Sequence, residues 1–216
     1  MGGDVVLVIV VITALGFDFT NGFHDTANAV STAVGTRAMS PRFAVALAAI
    51  LNFIGAFISL KVAATIGKGI VDSGVVTPTV IFAALIGAIT WNLVTWWYGL
   101  PSSSSHALIG GVVGAAIAAA GTSSVDVSGL IDNVIVPGLV APILAFLVAG
   151  AGILTAYIVV GRNRPGPVAR GFRYGQLVTS SLFALAHGTN DAQKPRGITP
   201  LALIANGNLP ADSFEV

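Results

Sequence analysis

The run Val5-Val6-Leu7-Val8-Ile9-Val10-Val11-Ile12-Thr13-Ala14-Leu15-Gly16-Phe17 holds no charged residue. Past Asp18 it leads into a polar island, Asn21-Gly22-Phe23-His24-Asp25-Thr26-Ala27-Asn28. The apolar run alone is too short to cross a bilayer, since a span needs ~20 apolar residues. It becomes long enough if the helix continues through Asp18 and Asp25 to about Val34. The fold therefore turns on an apolar helix that carries a carboxylate at membrane depth. Such a group costs ~2.5–3.5 kcal/mol on insertion scales, so it either has a use or sits at a helix end and reaches for water.

The remaining chain has the same character. Of 216 residues, 55% are hydrophobic and only 9% charged, where a soluble domain carries ~25% charge. The mean hydropathy is +0.89. A net charge of +1 gives no nucleic-acid footprint. The absence of cysteine removes thiol catalysis and Cys-ligated metals. What is left is an all-α, polytopic membrane protein. Asp4 stands where a secretory signal would place Lys or Arg, so no cleaved leader is expected.

Residues 43–60, 73–125, 133–161 and 174–190 also lack Asp, Glu, Lys and Arg. The stretch 73–125 is too long for one helix, and Gly99-Leu100-Pro101-Ser102 breaks it. Helices are predicted near 4–34 (interrupted), 43–62, 79–98, 105–121, 134–160 and 174–206 (interrupted), about six spans in all. Arg37 and Arg42 follow the first, and Arg162, Arg164, Arg170 and Arg173 follow the fifth. The opposite loops hold only Lys61 and Lys68 as basic residues. The Arg-rich side is then cytoplasmic and the N-terminus outside. Trp91, Trp96, Trp97 and Tyr98 are expected as an aromatic belt at the cytoplasmic interface.

A second island, His187-Gly188-Thr189-Asn190-Asp191-Ala192-Gln193-Lys194, matches the first on Gly-x-(His/Asn)-Asp. Five helices of offset reverse the direction of travel, so the copies cross antiparallel. That pattern predicts an inverted-topology repeat, with a substrate site near the midplane built from broken helices. Asp25 and Asp191 are its main candidates. His24 and His187 are weaker ones, because a lone His is often a packing residue. Ser102-Ser103-Ser104-Ser105-His106 opens the fourth helix, where free amides and the helix dipole favour an anion. An N-cap alone would need one Ser. A Ser-His-Asp hydrolase is the enzyme alternative, but there is no Gly-x-Ser-x-Gly elbow and the duplicated Asp suits a symmetric site better.

Taken together, the two Asp islands and the stretch Gly99-Leu100-Pro101-Ser102-Ser103-Ser104-Ser105-His106 resemble the inorganic phosphate transporter family (PiT, or PHO4). Trp91-Asn92 and Trp97-Tyr98 resemble its bacterial members in the flanks. The resemblance covers nearly all of the chain as one domain over 1–216, with a first repeat over about 1–160 and the start of a second over about 174–216. It implies an N-terminal portion of a longer member. It implies cation-coupled symport of inorganic phosphate across the plasma membrane by alternating access, with no catalytic residue and no cofactor beyond Na⁺ or H⁺. Asp25, Asn28, Asn190 and Asp191 match cation-coordinating positions. Ser103, Ser104 and Ser105, joined by Thr26, match phosphate-contacting hydroxyls. Pro195 and Arg196 depart from the family's usual run after the second Asp.

An anion and two carboxylates repel, so a positive group must lie between them. Lys194 is the basic residue beside an island, and a bound Na⁺ or proton is the simpler answer. Sulfate or metal–phosphate as solute, and a truncated fragment that does not transport, are the alternative readings. A homo-oligomer is compatible with all of them.

Overall fold

The computed structural model describes residues 2–58, 70–191, 193–205 and 207–209. Among the described residues, seven helical segments carry the fold. They are α1 (Gly2–Gly35), α2 (Pro41–Gly55), α3 (Pro78–Trp97), α4 (Ser104–Ala120), α5 (Val127–Val160), α6 (Pro165–Asp191) and α7 (Gln193–Ala205). Helix α5 contains a π-helical turn at Ile131–Ile135. Among the described residues there is no strand. Val71 and Val125 form an isolated antiparallel bridge that ties the segment before α3 to the segment between α4 and α5.

Side-chain caps set several helix starts. Ser40 accepts from the Phe43 amide, Thr77 from Val80, Ser103 from His106 and Asp126 from Ser128 and Gly129. Each satisfies a donor that the first helical turn leaves free. Pro lies in the first turn of α2 and α3, where its missing N–H costs nothing.

The helix α1 is the spine. Its 34 residues span roughly 50 Å at 1.5 Å per residue. Two apolar clusters grip it at different heights. Val10, Ala14 and Phe17 pack with Ile81, Leu85 and Ala88 of α3, Leu108 of α4, and Ile198 and Ala202 of α7. Ala29, Val30 and Ala33 pack with Met39, with Ala44 and Ala48 of α2 and with Ala184 of α6. Between the clusters, α1 buries polar residues instead: Thr20, Asn21, His24 and Asp25.

Contacts fix the directions. Gly16 lies against Ile89 and His24 against Thr95, so α3 runs parallel to α1. Asn21 pairs with Asp191 and Thr36 with Gln176, so α6 runs antiparallel to α1. Glycines permit the closest crossings, because a Cβ at Gly55 or Gly188 would strike the backbone of the facing helix, at Leu185 and Asn52. Gly111 likewise lies on the backbone of Ala84, closing α4 onto α3.

Several expectations change. Helix α1 is not interrupted at its polar island. Its polar side chains find tertiary partners, and a mid-helix Gly22 costs only about 1 kcal/mol. The last helical stretch is described to Asp191 as α6 and from Gln193 as α7, and the expected interruption there involves Ala192, which lies outside the described residues. Helix α5 begins at Val127 rather than near 134, because Asp126 caps it. Helix α2 ends at Gly55, and residues 59–69 lie outside the described set. Trp96 packs edge-to-face on Phe23 at 5.3 Å, so the turn after α3 lies at the height of the α1 island and not beyond the end of α1. Trp91, Trp96, Trp97 and Tyr98 are exposed there. Among the described residues three helices are long and apolar enough to cross a membrane: Val5–Gly35, Pro78–Trp97 and Val127–Val160.

Candidate functional site

The polar layer gathers residues from α1, α3, α4, α6 and α7. Its centre is the ammonium of Lys194, a residue only 4% exposed. The Nζ lies 2.8 Å from Asp191 Oδ1 and donates to Asn21 Oδ1 at 2.9 Å and to Ser104 Oγ at 2.8 Å. Asp25 Oδ2 is 3.8 Å away. An ammonium has three hydrogens, and three acceptors at hydrogen-bond distance match them. Burying that charge unpaired would be prohibitive, so the carboxylates hold it there.

The surrounding bonds lock the acceptors. Asn21 Nδ2 donates to Asp191 Oδ2 at 2.9 Å, which fixes the amide so that its oxygen faces Lys194. The Ser104 hydroxyl has Asn21 Oδ1 and, at 2.5 Å, Asp25 Oδ2 as acceptors. It has one proton to give, so it serves one of them at a time. Each carboxylate also keeps a histidine. His24 Nδ1 lies 2.9 Å from Asp25 Oδ1, and His187 Nε2 lies 2.9 Å from Asp191 Oδ2. The second nitrogen of His24 reaches Thr95 Oγ1 at 3.2 Å. Asp25, His187 and Asp191 offer ligand atoms within 4.8 Å of one another, a spacing able to hold a metal ion.

The expected residues thus part company. Asp25, Asp191 and Ser104 meet in one cluster. Ser103 caps α4 and also lies 2.9 Å from its partner His106 Nδ1. Ser102 accepts from the Trp91 indole at 2.9 Å. Ser105 lines a cleft of about 600 Å³ with His106, Asn133 and Pro137. The Thr26 hydroxyl donates to the Gly22 carbonyl and lines a different, apolar hollow with Phe19, Phe23 and Val45. Asn190 is exposed. The side chains of Asn28, Pro195 and Arg196 lie outside the described residues.

Sequence reasoning missed three features. Asn21 bridges both islands, a role that its place in the first island does not reveal. The match on Gly-x-(His/Asn)-Asp sets Asn190 against His24, whereas His187, one helical turn before Asp191, is the residue that pairs as His24 does. Asn92 on α3 is 0% exposed, and both of its side-chain amide atoms lack a hydrogen-bond partner among the described residues. Along α3 it lies between Ala88, which packs in the cluster with Val10, Ala14 and Phe17, and Thr95, the partner of His24. Only the Asp191-to-Lys194 spacing of three carried a usable signal, because such pairs share a helix face.

The layer thus sets two carboxylates, an amide and a hydroxyl around one ammonium, between two apolar clusters. The model of the phosphate transporter family (PHO4) matches residues 21–172. A probable low-affinity inorganic phosphate transporter of Mycobacterium bovis is 56% identical over 93% of this chain and 48% of its own length. Its counterpart in Bacillus subtilis is 47% identical over 98% of this chain and 64% of its own. The chain thus spans about half the length of the mycobacterial relative. A solved sodium-dependent phosphate transporter shares the fold, with a TM-score of 0.77 at 21% identity over 96% of this chain and 70% of that one. The chain belongs to the phosphate transporter family.

Proposed function

We propose that this chain is part of a carrier, not an enzyme, which moves inorganic phosphate together with a cation (Na⁺ or H⁺) into the cell by alternating access. The carrying observation is the buried cluster in which Asp25 and Asp191, from antiparallel helices, meet Ser104 at the head of α4. An approaching oxyanion is repelled by those carboxylates until positive charge neutralises them. It then finds the Ser104 hydroxyl and the free amides of the first turn of α4, neutral donors that bind and release more readily than an Arg clamp. The cation raises phosphate affinity, and phosphate raises cation affinity by the same factor.

In this reading Asp25 and Asp191 are the cation ligands, with Asn28 and Asn190 as further candidates from the resemblance. Ser104 is the first phosphate contact, and Ser103, Ser105 and Thr26 are subsidiary ones. The antiparallel course of α1 and α6 supports two inverted repeats, over about 1–160 and from about 174. The placement in the plasma membrane with six spans and the N-terminus outside rests on the Arg-rich loops.

The test is uptake of labelled phosphate by the chain in proteoliposomes under an imposed cation gradient. Saturable uptake that Ser104→Ala weakens is expected. Uptake that excess sulfate suppresses as well as unlabelled phosphate does would change the solute. Absence of both uptake and labelled-phosphate binding by correctly inserted protein would refute the reading.

A further inference from the structure

We infer that Lys194 is a built-in cation, standing where a free coupling ion would otherwise bridge Asp25 and Asp191. The inference rests on the reading of those two carboxylates as cation positions. The described groups that face Nζ are all oxygens: a carboxylate at 2.8 Å, an accepting amide carbonyl at 2.9 Å, an accepting hydroxyl at 2.8 Å and a second carboxylate at 3.8 Å. Such hard neutral and anionic oxygens are what a monovalent or divalent metal cation selects. The ammonium and a metal ion therefore exclude each other from one cage.

Two further observations fit this role rather than direct phosphate binding. The three ammonium hydrogens are already matched by Asp191, Asn21 and Ser104, which leaves none to aim at an anion. The tether is also short. Lys194 lies three residues from Asp191, so its charge is delivered with little loss of freedom and cannot leave with the solute. With His24 and His187 neutral, two carboxylates and one ammonium leave a single formal negative charge, so one proton completes neutralisation where two positive charges would be needed without Lys194.

Radiosodium binding to the purified chain tests this, with phosphate uptake measured in parallel. Wild type should show no saturable sodium binding that depends on Asp191. Lys194→Met should gain it by more than about tenfold, because a competing charge within 4 Å is removed. The gain should vanish in the double variant with Asp191→Asn, and Lys194→Arg should keep the cage shut. A misfolded protein would not acquire a carboxylate-dependent sodium site. The inference is overturned if wild type binds sodium and Asp191→Asn removes that binding, or if folded Lys194→Met binds no more than wild type. Wild-type phosphate uptake reports separately on the transporter reading, so the two can fail independently.

Discussion

Replacing Gly188 by alanine perturbs the site without touching any of its polar atoms. A Cβ there would overlap the Asn52 carbonyl oxygen, Cα and carbonyl carbon. Those atoms belong to the α2 backbone and cannot swing aside as a side-chain tip can. Helices α2 and α6 must part by about 1 Å to restore van der Waals contact, at an overpacking cost of roughly 1–3 kcal/mol. Asp191 lies three residues further along α6. The same displacement would stretch its contacts of 2.8 Å to Lys194 and 2.9 Å to Asn21 beyond hydrogen-bond range. Misplacement of a functional group by about 1 Å costs on the order of 10²-fold in activity. Labelled phosphate uptake, normalised to inserted protein, should fall by about that factor in Gly188→Ala. Gly175→Ala on the same helix meets nothing within 4 Å and should leave uptake unchanged. Uptake in Gly188→Ala above about half of wild type would show that the crossing does not position Asp191.

Asp25→Asn and Asp191→Asn should each abolish uptake while the protein still inserts; normal flux in either variant would remove that carboxylate from the mechanism. Asn92→Leu should raise thermal stability by about 1 kcal/mol, because it replaces an unpartnered buried amide with hydrocarbon of similar size. A fall in phosphate uptake in the same variant would identify that amide as part of the path. The Ser128 hydroxyl and the Gly129 and Ser128 amides hold the Asp126 carboxyl below the ordinary aspartate range. Its folded value is depressed, so the capping contribution is present above the unfolded value and is lost as pH falls through the folded one. The Ser128 and Gly129 amide resonances should therefore titrate with a midpoint below that of a free aspartate; an unshifted midpoint would show that the cap does not form.

The sequence displayed some of this plainly and hid the rest. Charge-free runs located α1, α3 and α5 because hydrocarbon tolerates few ions, and the two Asp islands announced a shared site because each alone is expensive. Depth was not legible. Nothing in Gly99-Leu100-Pro101 says whether that turn sits at a water interface or beside Phe23, since the decision belongs to the packing of Trp96. The continuity of α1 was misread because polar residues look like breaks until their partners are known. Asn21, His24 and Asp25 meet Asp191, Thr95 and Ser104 far along the chain, so the helix has no need to open. Four consecutive serines looked alike, yet only position 104 meets the acidic groups, because a helix start turns successive side chains to different sides.

The two apolar collars around α1 also have an electrical consequence. Hydrocarbon passes little ionic current, so a membrane voltage drops mainly across the collars and hardly at all within the thin polar layer that they enclose. An elementary charge carried through the full drop exchanges about 2.3 kcal/mol per 100 mV with the field. Whichever collar loosens first decides how much of that energy a particle entering the layer feels. A lysine anchored inside, moving with the protein and never crossing a collar, contributes neutralising charge without drawing on the voltage.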